Sequence, residues 1–291
     1  LNHHFNFITD DELLSVDDFD DFHYVYWRNS IDPDFTFMEI FYGPLFSALT
    51  VSVFFLISKS YGFSIRTSLI LTFLFGLSTI VWAYSQTSLN AIPVTFFLLS
   101  GFFYYRKFLK SNSNVHLLLT GILFGISFLT RNDMILIFFL FFIFLLIKTL
   151  KKNIRIKTLF TFIIPLSSSY LVHKIIEIVR VGNENTTATV ATIGNDWTSA
   201  ANSNPYFLHL FGILFSPGAG LFIYAPILFT AFVGFFDFYK KNRSECLLLF
   251  SFVTIFALFY SAGSYWHGFN GWGPRYLLPI VAFVILPLGA S

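Results

Sequence analysis

Long apolar runs separated by short polar segments dominate the chain, and they predict membrane-spanning helices. A run is assigned as a span where charged or turn-forming residues bound it at both ends. The predicted spans are Glu39–Ser58, Thr67–Tyr84, Asn90–Tyr105, His116–Thr130, Met134–Lys148, Lys157–His173, Gly220–Phe238 and Cys246–Ala262, with a ninth starting at Tyr276. A short apolar segment, Tyr206–Phe215, precedes the seventh span. The pattern therefore predicts an all-α, polytopic transmembrane helical bundle of about 8–9 spans.

The polar stretches between and before these runs predict the domain organisation. Ten of the 16 acidic residues lie within the first 39 positions, so residues 1–38 are predicted to form an acidic extracytoplasmic segment and residues 39–291 the membrane domain. Loops are predicted near 180–205 and 263–275. The chain opens with Leu1 and its last apolar run is shorter than the ~20 residues of a spanning helix. We therefore expect a fragment of a longer protein, with a short final helix as the alternative.

Composition agrees with a membrane protein. The chain is 55% hydrophobic and 12% charged, whereas an average soluble domain is about 25% charged. This balance excludes a disordered chain, a disulfide-stabilised secreted domain and a soluble protein that binds nucleic acid. The single cysteine, Cys246, excludes an internal disulfide and a metal site built from several cysteines.

Basic residues predict which ends of the helices face the cytoplasm. Of the 18 Lys and Arg residues, 13 fall in the connections that follow the first, third, fifth and seventh spans. The positive-inside rule places those connections in the cytoplasm. The acidic segment and the loops at 85–89, 131–133, 180–205 and 263–275 are therefore predicted to face outward.

Carboxylates near the outer surface are the candidate catalytic groups. They are Asp10, Asp11, Glu12, Asp17 and Asp18, which lie among phenylalanines in the sequence. A carboxylate beside apolar surface has its pKa raised towards neutrality, as a general base requires. A solvated acidic segment without catalytic function is an equally weighted alternative. The spans hold almost no ionisable residues, which argues against a proton-coupled transporter. No metal-ligand motif is visible, and outer-loop carboxylates remain possible ligands of a divalent cation.

A glycine-rich outer loop supplies the candidate substrate-binding residues. The segment Ser264–Arg275 contains three glycines and one proline, so its backbone can turn tightly and approach a ligand closely. Trp266 and Trp272 offer flat faces for a sugar ring, or alternatively anchors at the membrane surface. The planar guanidinium of Arg275 suits a phosphate group, and Arg131 in another outer turn is a second candidate cation.

Four short segments occur in a recognisable order: WAYSQT at 82–87, GILFGISFLTR at 121–131, FSPGAGLFIYAP at 215–226 and WGPRYLLP at 272–279. Together they resemble the signatures of bacterial and archaeal membrane glycosyltransferases of the GT-C class. The similarity is to protein O-mannosyltransferases and aminoarabinose transferases, and it runs from about Tyr42 to the end of the chain. The third segment is predicted to be either a re-entrant break in the membrane or a simple loop.

The resemblance implies an inverting glycosyltransferase that moves a sugar from a polyprenyl-phosphate donor to a protein, lipid or glycan acceptor. It implies a multi-pass protein of a prokaryotic cytoplasmic membrane, with the site facing outward and surrounded by membrane lipids. The donor phosphate would contact Arg275 and Arg131, and the sugar would contact Tyr84, Trp266, His267 and Trp272. In this class the catalytic carboxylate follows a first transmembrane helix that is absent here, so the base lies either in the acidic segment or before Leu1.

A non-catalytic protein that handles polyprenyl-linked glycans, such as a flippase or a polymerase subunit, is the alternative function. It shares the need for phosphate binding at the outer face but not the need for a general base. The residues identify neither the donor sugar nor the acceptor.

Overall fold

The structure, a computed structural model, describes residues 33–87, 89–151, 156–181, 206–262 and 273–290. The helices are α1 Pro33–Ser60, α2 Ile65–Leu77, α3 Val81–Tyr84, α4 Ala91–Ser111, α5 Asn114–Thr130, α6 Ile135–Leu150, α7 Ile156–Val181, α8 Tyr206–Phe215, α9 Leu221–Tyr224, α10 Ala231–Lys241, α11 Arg243–Ser261 and α12 Leu278–Ile285. Short 3₁₀ turns cover Asn132–Met134, Pro226–Thr230, Arg275–Leu277 and Leu286–Ala290. No strand occurs in these residues, which confirms the all-α prediction for the part described.

Four helical segments are long and apolar enough to cross a membrane. They are Phe41–Ser60, Asn132–Leu150, Ile156–Val179 and Arg243–Ser261. The segments Ile65–Leu77, Asn114–Thr130, Tyr206–Phe215 and Arg275–Ala290 are also apolar but shorter. The chain is thus a helical membrane protein, and the larger number of 8–9 spans stays a prediction.

The predicted seventh span, Gly220–Phe238, is broken into three helical pieces. Helix α9 ends at Tyr224, and Ala225 adopts an extended φ of −140° before Pro226. A residue that precedes proline is disfavoured in the helical region, and proline itself has no N–H to continue the hydrogen-bond ladder. The break therefore follows from Pro226, which the hydropathy pattern alone did not resolve.

The chain divides into two compact units, residues 1–41 and 42–291. Of the first unit the structure describes only residues 33–41, which are helical.

Small residues and phenylalanines build the core of the second unit. A Cβ atom added to Gly101 of α4 would come 2.5 Å from the ring of Phe124 on α5. A Cβ atom at Gly121 of α5 would come 2.8 Å from the carbonyl oxygen of Phe162 on α7. These glycines let three helices approach closely. The ring of Phe124 also stacks on Phe138 with centroids 4.9 Å apart, so aromatic packing fills the space between the helices.

Helix α11 connects two buried polar clusters. Glu245 lies near its first turn and Tyr260 near its last, about 22 Å apart along the helix axis. Around Glu245 lie Ser60, Tyr61 and Arg106, called here the Arg106 cluster. Around Tyr260 lie Arg131, Asp133, Arg275 and Tyr276, called here the Arg131 cluster. Both of the arginines predicted to bind phosphate belong to the Arg131 cluster.

Candidate functional site

Arg131 lies where the chain leaves α5. Its backbone is extended, with φ −150° and ψ 122°, and its N–H group still donates to the carbonyl oxygen of Ser127. Only 9% of the residue is exposed. Nε donates to Oδ1 of Asp133 at 3.1 Å, and Nη2 donates to Oδ2 at 2.5 Å. The guanidinium is therefore held by a two-point contact with a carboxylate, the stronger geometry for such a pair.

Two tyrosines complete the surroundings of Arg131. Nη2 donates to the hydroxyl oxygen of Tyr260 at 2.7 Å and to the carbonyl oxygen of Tyr276 at 3.4 Å. The hydroxyl of Tyr260 in turn donates to Oδ2 of Asp133. Burial lowers the pKa of Arg131, but Asp133 and Tyr260 more than offset it and raise this pKa above its ordinary value. The guanidinium consequently stays charged in a buried position.

Arg275 approaches the same place from the other end of the sequence. It begins the short 3₁₀ turn Arg275–Leu277, is half-buried, and donates from Nη2 to the hydroxyl of Tyr276 at 3.3 Å. Its guanidinium carbon lies 5.1 Å from the ring centroid of Tyr276, and that of Arg131 lies 5.7 Å from the same centroid. The sequence left open whether the two arginines meet; in the structure they share one tyrosine ring.

The charges of the Arg131 cluster do not balance. Asp133 pairs with Arg131, whereas no carboxylate of the described residues lies within 4.0 Å of the Arg275 guanidinium. The described cluster therefore has two positive groups and one negative group, which leaves a single positive charge on the half-buried side chain. An unbalanced cation beside a turn can bind an anion.

Two glycine-rich turns meet beside Arg275. Gly273 has a left-handed φ of 65°, and a Cβ atom there would lie 2.9 Å from Cγ of Tyr224. The hydroxyl of Tyr224 donates to the carbonyl oxygen of Gly218 at 3.2 Å. In the turn before it, the N–H of Gly220 donates to the carbonyl oxygen of Ser216 at 2.7 Å. The third and fourth segments of the sequence resemblance thus pack against each other through Tyr224.

Tyr84, a predicted sugar-binding residue, lies in the core. Only 2% of it is exposed, whereas the neighbouring Trp82 is 53% exposed. Further along the chain, Nδ2 of Asn90 donates to the carbonyl oxygen of Thr130, which joins the turn before α4 to the turn that holds Arg131. Tyr84 is therefore a core residue, and the Asn90–Thr130 hydrogen bond connects its part of the chain to the Arg131 turn.

The remaining predicted site residues lie outside the described residues. They are the carboxylates Asp10, Asp11, Glu12, Asp17 and Asp18 and the loop residues Trp266, His267 and Trp272. Within the described ranges, no group of three or more His, Cys, Asp or Glu side chains is placed to hold a metal ion.

Sequence reasoning missed three members of the cluster. Asp133 had a signal, because it lies two residues after Arg131 in the same short turn. Tyr260 had none, because 129 positions separate it from Arg131 and only the packing of α11 brings it there. Tyr276 belongs to the GPRYLLP segment, but its contacts with both arginines depend on how the two turns pack.

An apolar groove runs beside α11. It has a volume of about 510 Å³ and lies between α8, α10, α11 and the apolar segment that includes Phe283 and Pro287. Among its described lining residues only Thr254 carries a hydroxyl group. Phe232 and Phe236, two of its lining residues, are 62% and 70% exposed, so the groove is open to the surface of the protein beside α10. Its lining on α11 extends from Cys246 to Leu258, about 18 Å of helix, and Leu258 lies two residues before the Arg131 cluster.

Comparison with known families identifies a match over the first part of the chain. The model of the family described as dolichyl-phosphate-mannose-protein mannosyltransferase matches residues 26–181, more than half of the 291 residues. This range includes Arg131 and Asp133 and ends before Arg275. The comparison with curated proteins and the comparison with solved structures found no match.

Proposed function

The chain belongs to the dolichyl-phosphate-mannose-protein mannosyltransferase family, and from this we propose that it transfers mannose from a polyprenyl-phosphate donor to a protein hydroxyl group. Family membership and apolar helices support a membrane glycosyltransferase. The observation that carries the proposal furthest is the arrangement of Arg131 and Arg275 around Tyr276, beside an apolar groove.

The donor would bind in two parts. Its phosphate would accept hydrogen bonds from the half-buried Arg275, whose charge no described carboxylate balances. Its isoprenoid chain would lie in the groove along α11, whose lining reaches Leu258, two residues before Tyr260. A lipid with a charged head group and an apolar tail fits a cationic cluster that lies beside an apolar groove. Arg131 would hold Tyr276 in position through its contacts with the ring and with the carbonyl oxygen of that residue.

The reaction would be a single displacement at the anomeric carbon of the sugar. The acceptor oxygen forms a new bond to this carbon, and the bond between the carbon and the phosphate oxygen breaks. The phosphate leaves with the electron pair, while a carboxylate accepts the proton of the acceptor hydroxyl. Asp10, Asp11, Glu12, Asp17 and Asp18 are the candidates for this base. Because phosphate is a competent leaving group, positioning and charge stabilisation would supply most of the acceleration.

Transfer of labelled mannose tests this function directly. The full-length protein, purified in a lipid environment, is incubated with polyprenyl-phosphate [¹⁴C]mannose and a peptide rich in Ser and Thr. We expect label on the peptide and a strong loss of transfer in Arg275→Ala. Donor binding without transfer to any acceptor would instead support the non-catalytic flippase or polymerase subunit.

We also propose that the Arg131 cluster faces the extracytoplasmic side, because the opposite ends of the helices hold most of the basic residues. Asn132 and Asn112 are both exposed and flank the two ends of α5. In a Cys246→Ser background, a membrane-impermeant thiol reagent added outside the cell should label Asn132→Cys and not Asn112→Cys. The reverse result would place the site on the cytoplasmic side.

A further inference from the structure

Asp133 is the residue that sets the charge of the Arg131 cluster. It accepts two hydrogen bonds from the Arg131 guanidinium and a third from the hydroxyl of Tyr260. Side-chain exposure is only 8% for Arg131 and 11% for Asp133, so solvent screens this pair little. Without Asp133 the described cluster would carry two positive charges instead of one.

The proposed reaction changes the charge of the phosphate that this cluster would hold. In the donor the phosphate is a diester, esterified by both the isoprenoid and the sugar, and carries one negative charge. When the bond to the sugar breaks, the phosphate oxygen keeps the electron pair, and the spent carrier is a monoester. A phosphate monoester has a second pKa of about 6, so it carries nearly two negative charges at neutral pH.

We propose that Asp133 is a specificity-determining residue that favours the phosphodiester donor over the phosphomonoester product; this rests on the proposed function. A cluster with one net positive charge balances the single charge of the donor. The additional charge of the product meets no additional cation and is repelled by the Asp133 carboxylate. The arrangement thus promotes release of the spent carrier after each transfer.

Tyr260 and Tyr276 connect the three charged residues of the Arg131 cluster, so the charge of Asp133 acts close to Arg275. The guanidinium carbons of Arg131 and Arg275 lie 5.7 Å and 5.1 Å from the Tyr276 ring centroid. The Tyr276 ring also stacks on Tyr260 with centroids 4.6 Å apart and parallel planes. Tyr260 and Arg131 each bond to Asp133. Arg275, Arg131 and Asp133 therefore belong to one contact network, and a phosphate bound at Arg275 lies within the field of all three.

Two lipid probes measure the preference. The full-length protein in nanodiscs is titrated with a polyprenyl monophosphate and with the matching polyprenyl methyl phosphate, a diester, at a pH of about 8, where the monoester is doubly charged. The ratio of the two dissociation constants is the readout. In Asp133→Asn we expect this ratio to shift towards the monoester by on the order of tenfold, because the second phosphate charge is no longer repelled by the Asp133 carboxylate. Product inhibition of transfer should rise in parallel.

Matched variants separate the charge of Asp133 from general effects. Asp237→Asn removes one negative charge from an exposed pair with Lys240, and should leave the ratio unchanged. Asp133→Glu keeps the charge and should also keep the ratio. The double variant Arg131→Gln/Asp133→Asn restores one net positive charge and should return the ratio towards the wild-type value.

Asn132 provides a test that leaves the buried pair intact. It is exposed and adjacent to Arg131 and Asp133, so Asn132→Lys adds one positive charge near the cluster even where Asp133→Asn fails to fold. This variant should also shift the ratio towards the monoester. An unchanged ratio in Asn132→Lys, or in a folded Asp133→Asn, overturns the proposal. If the wild-type protein binds neither probe, the proposed function fails instead.

Discussion

The Arg106 and Arg131 clusters lie at opposite ends of α11, and each contains a buried arginine–carboxylate pair. Nη1 of Arg106 donates to both carboxylate oxygens of Glu245 at 2.5 Å, and a tyrosine hydroxyl, that of Tyr61, donates to Glu245 at 2.7 Å. The side chains of Arg106 and Glu245 are 9% and 12% exposed, close to the values for Arg131 and Asp133. Burial and pairing therefore do not distinguish the two clusters.

The surroundings of the two pairs differ. Arg106 also donates to the carbonyl oxygen of Ser60 at 3.0 Å, and its guanidinium carbon lies 3.7 Å from the ring centroid of Tyr61. Burial and the adjacent Glu245 carboxylate raise the pKa of Tyr61 well above its ordinary value, so its hydroxyl stays a donor. Phe238 closes this cluster, with its ring centroid 5.1 Å from that of Tyr61.

The Arg131 cluster instead continues into Arg275 and the turn at Gly273. One cluster is a closed structural connection between α4, α11 and the end of α1. The other includes the half-buried Arg275, which pairs with no described carboxylate and lies beside two glycine-rich turns. The apolar groove borders both clusters, because Phe238 and Cys246 also line it. A buried arginine–carboxylate pair is by itself weak evidence of a site; the additional cation and the turns make the difference.

The largest expected effect tests the structural role of the Arg106 cluster. Glu245→Ala leaves Arg106 buried without its carboxylate, which costs about 3–5 kcal/mol of stability. Thermal unfolding in detergent or nanodiscs should show a large decrease in the unfolding temperature. Asp237→Ala, which breaks an exposed pair with Lys240, should cost at most about 1 kcal/mol. Equal effects of the two substitutions would contradict the structural role.

Arg275→Ala tests the opposite cluster and should affect function more than stability. Loss of a charged hydrogen bond to the donor phosphate costs about 1.5–3 kcal/mol, which corresponds to roughly tenfold to hundredfold weaker donor use. Because Arg275 is half-buried and its side chain makes one hydrogen bond in the described residues, the unfolding temperature should change little. Arg275→Lys keeps the charge but loses the planar group and should also be impaired. Normal donor affinity in both variants would remove Arg275 from the phosphate site.

Local patterns in the sequence located most of the helices, although the predicted second span, Thr67–Tyr84, is interrupted at 78–80. The run His116–Thr130 corresponds to α5 Asn114–Thr130, and Cys246–Ala262 corresponds to α11 Arg243–Ser261. Such agreement arises because a buried or lipid-facing helix needs consecutive apolar residues, a property of one segment alone. The break of the predicted seventh span at Pro226 depends on a single backbone constraint that hydropathy does not measure.

The site was only partly predictable, because most of its contacts join residues that are distant in the sequence. Arg131 and Arg275 were found because each lies in a short segment of distinctive composition. Their neighbours depend on tertiary packing: Tyr260 reaches Arg131 only because α11 packs beside the turn after α5. The burial of Tyr84 likewise follows from its helix packing inward, and a tyrosine at the end of an apolar run gives no sign of that.

Gly273→Ala should have an intermediate effect on the Arg131 cluster. A side chain at φ 65° costs about 1–2 kcal/mol, and the new Cβ atom would also press against Tyr224 at 2.9 Å. The turn that positions Arg275 should shift and weaken its hydrogen bond to the donor phosphate, so donor affinity should fall by on the order of tenfold. Gly218→Ala is the matched control in the second turn, because a Cβ atom there meets nothing within 4 Å. Equal donor affinities for the two variants would show that the turn geometry does not position Arg275.

Tyr276→Phe should have the smallest effect and shows which part of the tyrosine matters. The substitution removes the hydroxyl that accepts a hydrogen bond from Arg275 at 3.3 Å, while the ring can still stack on Tyr260 and contact both guanidinium groups. Because this bond is long, at 3.3 Å, we expect it to contribute only about 0.5–1.5 kcal/mol, so donor affinity should fall roughly twofold to tenfold. Tyr276→Leu also removes the ring and should cost more, because the carbonyl contact with Arg131 then loses its packing. If Tyr276→Phe weakens the donor as much as Arg275→Ala, the hydroxyl itself contacts the phosphate, and the position of the donor in the Arg131 cluster must be revised.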